Sequence, residues 1–142
     1  MKTKLLSLLL LCVSVLNFSC SKEKVDPTFQ IAGLWIGTYT VTTMPQLQPL
    51  YYSFSIKPDG KLITEGVGAN GVTYYSKGTW ILNGDLFTAT YTSINYPGSP
   101  VTQSATLTYH NSGTLTNGTW TDVINPNGGS LSGAFSAMAR VN

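Results

Sequence analysis

Side chains able to do chemistry are scarce in this sequence. His110 is its one histidine, so a zinc site would lack a second imidazole and a nucleophile–base relay would rest on one residue beside a turn. A solvated turn position is the expected role of His110. The two cysteines, Cys12 and Cys20, both fall within the first twenty residues, which leaves the rest of the chain no internal disulfide. Charge is equally thin, at 10% of residues. Among the acids, Glu23 and Asp26 lie close behind Cys20, while Asp59 and Asp85 sit at turns, where aspartate bonds its own backbone. Glu65 and Asp122 remain, and they would flank a scissile bond as paired carboxylates only if both pointed inward. No glycine-rich loop opens a helix, which excludes a phosphate cradle. Beyond Lys22 and Lys24 the basic residues do not cluster, which excludes a nucleic-acid surface. These absences predict a protein that is not an enzyme and has no metal and no cofactor.

Also missing is an apolar run long enough to span a bilayer as a helix. Leu5 to Leu16, at about 1.5 Å per residue, reaches only ~18 Å against a hydrocarbon core of about 30 Å. Lys2 and Lys4 precede this run and Asn17-Phe18-Ser19-Cys20 closes it, the three-part order of a secretory signal. A small residue directly before a cysteine resembles the lipobox of bacterial lipoproteins. Asn17 and Phe18 depart from its usual aliphatic and small choices, and Leu16 stands one place early. The resemblance implies cleavage before Cys20 and a lipid on that cysteine; plain secretion is the alternative. Two acyl chains hold a protein stably where one holds it marginally, at about 0.8 kcal/mol per buried methylene. Losing Lys2 and Lys4 with the signal takes the basic residues from eight to six, level with the six acids, so the mature chain is near neutral. Residues 21–28 (SKEKVDPT) are charged, poor in apolar side chains and broken by Pro27, as a tether would be. Ser21-Lys22-Glu23-Lys24 faintly resembles the charged surface-export signal of some lipoproteins, with one acid where several are usual. The expected organisation is a signal peptide over 1–19, an acylated N-terminus and flexible tether over 20–30, and a domain over 31–142. The expected address is the cell envelope, lipid-anchored at the outer membrane, on a face that stays open.

No stretch after residue 30 sustains the 3.6-residue apolar period of a helix. Period-two runs broken by turn residues recur instead, which predicts half-buried strands. The first is expected at Gly33–Thr43, where Trp35, Gly37, Tyr39 and Val41 share a face. The second, Tyr51–Lys57, puts Tyr52, Phe54 and Ile56 together. Pro58-Asp59-Gly60 turns the chain into a third, Lys61–Val67. Further strands are expected at Val72–Leu82, Asp85–Ile94, Thr102–His110, Thr114–Val123 and Ser130–Val141. Asn83-Gly84 between the fourth and fifth predicts a type I′ hairpin turn, and Asn95–Pro100 a loop that cannot continue a ladder. In the eighth strand, Leu131, Gly133, Phe135, Ala137 and Ala139 alternate, so the small ones would make room inside.

Eight sequential strands with short connections form an antiparallel up-and-down meander. Rolling it into a barrel removes two open edges and encloses either packed side chains or one small ligand. A two-sheet sandwich is the alternative. Gly33-Leu34-Trp35 at the start resembles the Gly-x-Trp signature of lipocalins and their calycin relatives. That likeness implies a lipocalin-like barrel whose tryptophan packs across the closed end, with a basic residue of the last strand against it; Arg140 is the candidate. Gly78-Thr79-Trp80 and Gly118-Thr119-Trp120 are similar in texture to avidin-like strands.

Aromatics are the remaining signal. Adjacent pairs Tyr51-Tyr52 and Tyr74-Tyr75 must each put one ring inside and one outside. Outward tyrosines suit a partner protein or a glycan, and equally suit plain cross-strand packing. The leading expectation is a small apolar or amphipathic ligand lined by Trp35, Tyr39, Phe54, Trp80 and Phe135. The alternative is an interaction module of the envelope.

Overall fold

Alternation along the chain becomes nine antiparallel strands in the computed structural model, which describes residues 30–141. The expected signal peptide, Cys20 and all of the expected tether except Gln30 lie outside the described residues. The strands are β1 (Gly33–Val41), β2 (Leu50–Ile56), β3 (Lys61–Val67), β4 (Thr73–Asn83), β5 (Leu86–Ser93), β6 (Thr102–His110), β7 (Thr114–Ile124), β8 (Ser132–Phe135) and β9 (Met138–Val141). Each pairs with its sequence neighbour from β1 through β8, and β1 also pairs with β8 and β9 along its other edge. The sheet therefore closes on itself as an eight-stave barrel. The sandwich alternative would have left edges that this ladder does not leave.

The eighth stave is broken, and this corrects its expected alternation. β8 meets β1 as Tyr39↔Phe135 and β9 meets it as Trp35↔Arg140, so the register slips by one residue between them. Ser136 carries the ladder across the slip: its hydroxyl accepts from the Thr38 amide at 3.0 Å and its amide donates to the Thr38 carbonyl at 2.8 Å. A matching extra residue sits in β7, where Asn117 adopts φ 51° and the β6 register shifts between Thr106 and Thr108. The two bulges lie side by side, so β7 keeps one register with both β8 and β9. A slip of one residue exchanges the faces of a strand. Phe135 and Met138 are buried in consequence, while Ala137 and Ala139 face outward.

The β4–β5 hairpin also differs from expectation by one position. Asn83 pairs with Leu86, so Gly84-Asp85 form the two-residue loop. Gly84 has φ 63° and Asp85 has no positive φ, the pattern of a type II′ rather than a type I′ turn.

One half of the barrel is packed solid. Trp35, Ile31, Phe54, Phe87, Leu115 and Met138 are fully enclosed there. Trp35 and Tyr109 meet edge-on with centroids 6.0 Å apart, Phe54 and Phe87 meet tilted at 5.9 Å, and Trp80 stacks on Phe87. Each such side chain contributes roughly 1.5–3 kcal/mol through burial. Helical backbone at Gln30 and Ile31 brings Ile31 under the barrel floor. The Trp35 indole donates to the Ile31 carbonyl at 2.8 Å. Arg140 stands opposite Trp35 and donates to the carbonyls of Gln30 and Ala32 at 2.9 and 2.7 Å. Its guanidinium lies directly over Gly33, where any Cβ would press on Nε at 2.9 Å.

The two ends differ in their loops. At the closed end the connections are the short turns 57–60, 84–85 and 111–113; at the other end they are 42–49, 68–72, 94–101 and 125–131.

Candidate functional site: a cavity at the open end

Strand ends nearest the four long loops leave a cavity of about 170 Å³. Its aromatic walls come from Tyr39 on β1, Tyr52 on β2, Tyr91 on β5, Trp120 on β7 and Phe135 on β8. Thr64 on β3 and Ser76 on β4 are also buried and add hydroxyls. Glycines make the rings fit: a Cβ on Gly66 would stand 2.8 Å from the Tyr52 ring, and one on Gly68 would stand 2.6 Å from the Tyr74 ring. Phe54 touches Phe135 and Tyr91 from the packed side, at 5.5 and 6.1 Å between centroids, and so closes the bottom.

The phenols are held neutral. Burial pushes the Tyr52 hydroxyl up to about 12, with Thr64 and Tyr91 beside it partly opposing the rise. Tyr91 is raised well above the usual phenol value, by burial first and by neighbouring Tyr52 second. Tyr39 is raised by burial and donates to the Val67 carbonyl at 3.0 Å. At ordinary pH these groups are hydrogen-bond donors and acceptors without charge.

Asp122 is the single carboxylate in the wall, and it is occupied. One oxygen accepts from the Gln103 side chain at 2.9 Å; the other accepts from the Asn125 side chain at 2.8 Å and from the Leu131 amide at 3.0 Å. Its role is to pin the 125–131 loop. Glu65 does not join it: Thr64 and Gly66 line the cavity, so Glu65 between them faces outward. The sequence left open whether both acids point inward; only Asp122 does. His110 is far off at the closed-end turn, exposed, with Nε2 2.8 Å from the Thr116 hydroxyl. Among the described residues no three His, Cys, Asp or Glu side chains gather as a metal site.

Two loops clasp over the mouth. Asn127 donates through its side-chain amide to the Ser99 carbonyl at 2.9 Å and accepts from the Ser99 amide at 3.3 Å. Asn95 bonds both the Tyr75 amide and the Thr73 carbonyl, at 2.7 and 2.9 Å. That anchorage sets Tyr96 against Tyr74, 5.4 Å between centroids, as a paired aromatic rim. None of the four long loops contains a charged residue.

Of the residues singled out from the sequence, Tyr39 and Phe135 are in the cavity wall. Trp35, Phe54 and Trp80 are not: they lie in the packed half, buried among core side chains. Period-two alternation identifies an inward face but gives no height along the barrel, and height separates wall from core. Tyr52, Thr64, Ser76, Tyr91 and Trp120 were therefore missed as wall residues. Their signal was proximity, along each strand, to one of the four long loops. Of the tyrosine pairs, Tyr52 and Tyr74 turn to the cavity, and Tyr51 and Tyr75 turn out. Comparison of the chain with protein-family models, with curated proteins and with solved structures finds no match.

Proposed function

We propose that the protein is a lipid-anchored component of the bacterial cell envelope whose barrel binds one small amphipathic ligand, without catalysis. The observation that carries the binding reading is the cavity at the open end, enclosed by aromatic rings and hydroxyl groups and floored by a solid core. Concave, mostly apolar sites with a few converging polar groups are the usual form of small-molecule sites. The lipocalin-like reading is supported by Trp35 crossing the closed end with Arg140 opposite it. Among the described residues the cavity wall holds one carboxylate, Asp122, already hydrogen-bonded, and no second acid beside it, which supports a binder over an enzyme.

The anchor reading is supported by residues 1–20, where a short basic start, an apolar run and Ser19-Cys20 follow in order. Ten residue steps lead from Cys20 to Gln30, a reach of at most about 33–36 Å. The chain enters β1 at the closed end, opposite the mouth. Acyl labelling of the cells tests the anchor: label on the wild-type chain and none on Cys20→Ala is the expected result. Quenching of Trp120 fluorescence by a small-molecule panel tests the binding. A flat response across lipids, phenols and sugars would sink it.

A second reading, an interaction module, is favoured by one observation. Exposed apolar side chains stand on or beside several long loops: Met44, Val72, Ile94, Tyr96 and Ile124. Affinity capture from solubilised envelopes separates the two readings, since a ligand binder comes down alone.

A further inference from the structure

We infer that the ligand is the terminal ring of a neutral glycan, entering the barrel end-on; this deepens the ligand-binding reading and rests on it.

Size comes first. A cavity of about 170 Å³ is near the ~150 Å³ that takes a single benzene ring, and well below the roughly 300–1,000 Å³ of sites that engulf a larger molecule. A long acyl chain has nowhere to go, because Phe54, Phe87 and Trp80 fill the barrel beneath. The site accepts one ring, and whatever is attached to that ring must leave through the mouth.

Polarity comes second. Tyr52, Thr64, Ser76 and Tyr91 bring hydroxyl groups from four consecutive strands, β2 to β5, to the cavity wall. Tyr52 already bonds Thr64 and Tyr91, but a hydroxyl can both donate and accept, and a purely apolar ring would leave the remaining capacity of this cluster and of Ser76 unserved, an unfavourable exchange. A ring carrying its own hydroxyls would take up that capacity. The apolar faces of such a ring suit the aromatic side chains of Tyr39, Trp120 and Phe135 in the wall.

Charge comes third. The phenols stay neutral, the Asp122 carboxylate is already bound three times over, and the long loops carry no charge. Charged groups gather instead at the other end, as Lys57, Asp59, Lys61, Asp85 and Arg140. An acidic sugar would find no counter-charge at the mouth and would meet the Asp122 carboxylate in the wall. The ring attached to the bound one would emerge beside Tyr74 and Tyr96, whose side-by-side arrangement offers it a stacking surface.

The experiment is saturation-transfer NMR on the full-length chain held in phospholipid vesicles. The probes are methyl glucoside, methyl galactoside and methyl mannoside, with methyl glucuronide, p-cresol and 1-hexanol as the contrasting arms. At least one neutral pyranoside should bind saturably and the glucuronide should not. Thr64→Val, which keeps the volume, and Tyr91→Phe should each weaken that binding about tenfold, the effect of one lost hydrogen bond. Binding of p-cresol or hexanol with no pyranoside binding would overturn the glycan assignment and leave the ligand-binding reading standing. No binding by any probe would overturn both. Pyranoside binding that is unchanged in both variants, each shown folded by circular dichroism, would put the sugar outside the cavity and overturn the inference.

Discussion

Asn127 and Ser99 face each other across the barrel mouth, and one side-chain amide satisfies both the N–H and the C=O of one peptide position, at 3.3 and 2.9 Å. Two loops 28 residues apart in sequence are thereby joined by a contact that imitates a rung of β-ladder. Asn127→Ala should remove it at a cost of about 1 kcal/mol, as for a partly exposed hydrogen-bonded pair. The expected readout is faster hydrogen exchange at the Ser99 amide with protection in β1–β3 unchanged. Equal protection at Ser99 would mean the clasp carries no weight.

Trp35→Phe keeps an aromatic ring in the floor and deletes the N–H that serves the Ile31 carbonyl. Loss of that buried bond, with some ring volume, should lower stability by about 2–3 kcal/mol. Urea denaturation should show an earlier midpoint at unchanged slope. A shift in slope instead would mean that residues 30–32 detach rather than weaken.

Gly133 lies where β8 crosses against β1 and β7, and any Cβ there would collide with the Thr40 carbonyl and the Trp120 indole nitrogen. Backbone on one side leaves no soft direction in which to yield. Gly133→Ala should cost more than about 3 kcal/mol and reduce soluble yield. Gly71→Ala is the control: its Cβ meets nothing within 4 Å, and only the φ of 76° opposes it, for about 1 kcal/mol.

Stability should respond to alkaline pH through the buried phenols. Tyr52 ionises near 10 in the unfolded chain and at about 12 when folded, so folding favours its protonated form. That contribution is complete below pH 10 and is lost as the pH rises through about 12. On the order of 2–3 kcal/mol rides on a shift of this size. Denaturation midpoints should be flat from pH 7 to 9, as far as this residue is concerned, then fall. Tyr52→Phe should flatten part of the fall; an unaltered fall would assign it to Tyr91 and Tyr39.

Much of the fold was legible along the chain, and particular residues show why. Pro58-Asp59-Gly60 and the alternation of Leu62, Thr64 and Gly66 are local patterns, and β3 forms over the residues expected. The eighth stave was misread because its period is interrupted at Ser136. That interruption is stabilised by Thr38, 98 residues away, and nothing in residues 130–141 alone announces it. The hairpin at Gly84 shifted by one because either Asn83-Gly84 or Gly84-Asp85 satisfies a two-residue turn locally. Pairing of Asn83 with Leu86 decided between them.

The sequence alone determined which face turns inward in each strand whose alternation is unbroken, since side chains alternate by covalent geometry, and it determined the scarcity of ionisable groups. Tertiary structure decided how far up the barrel each inward side chain sits. Height depends on strand tilt and on register summed around the closed ladder, so Tyr39 and Trp35, four residues apart on one face, end in a cavity wall and a sealed floor. Closure couples every register to every other, and a local pattern holds no record of that coupling.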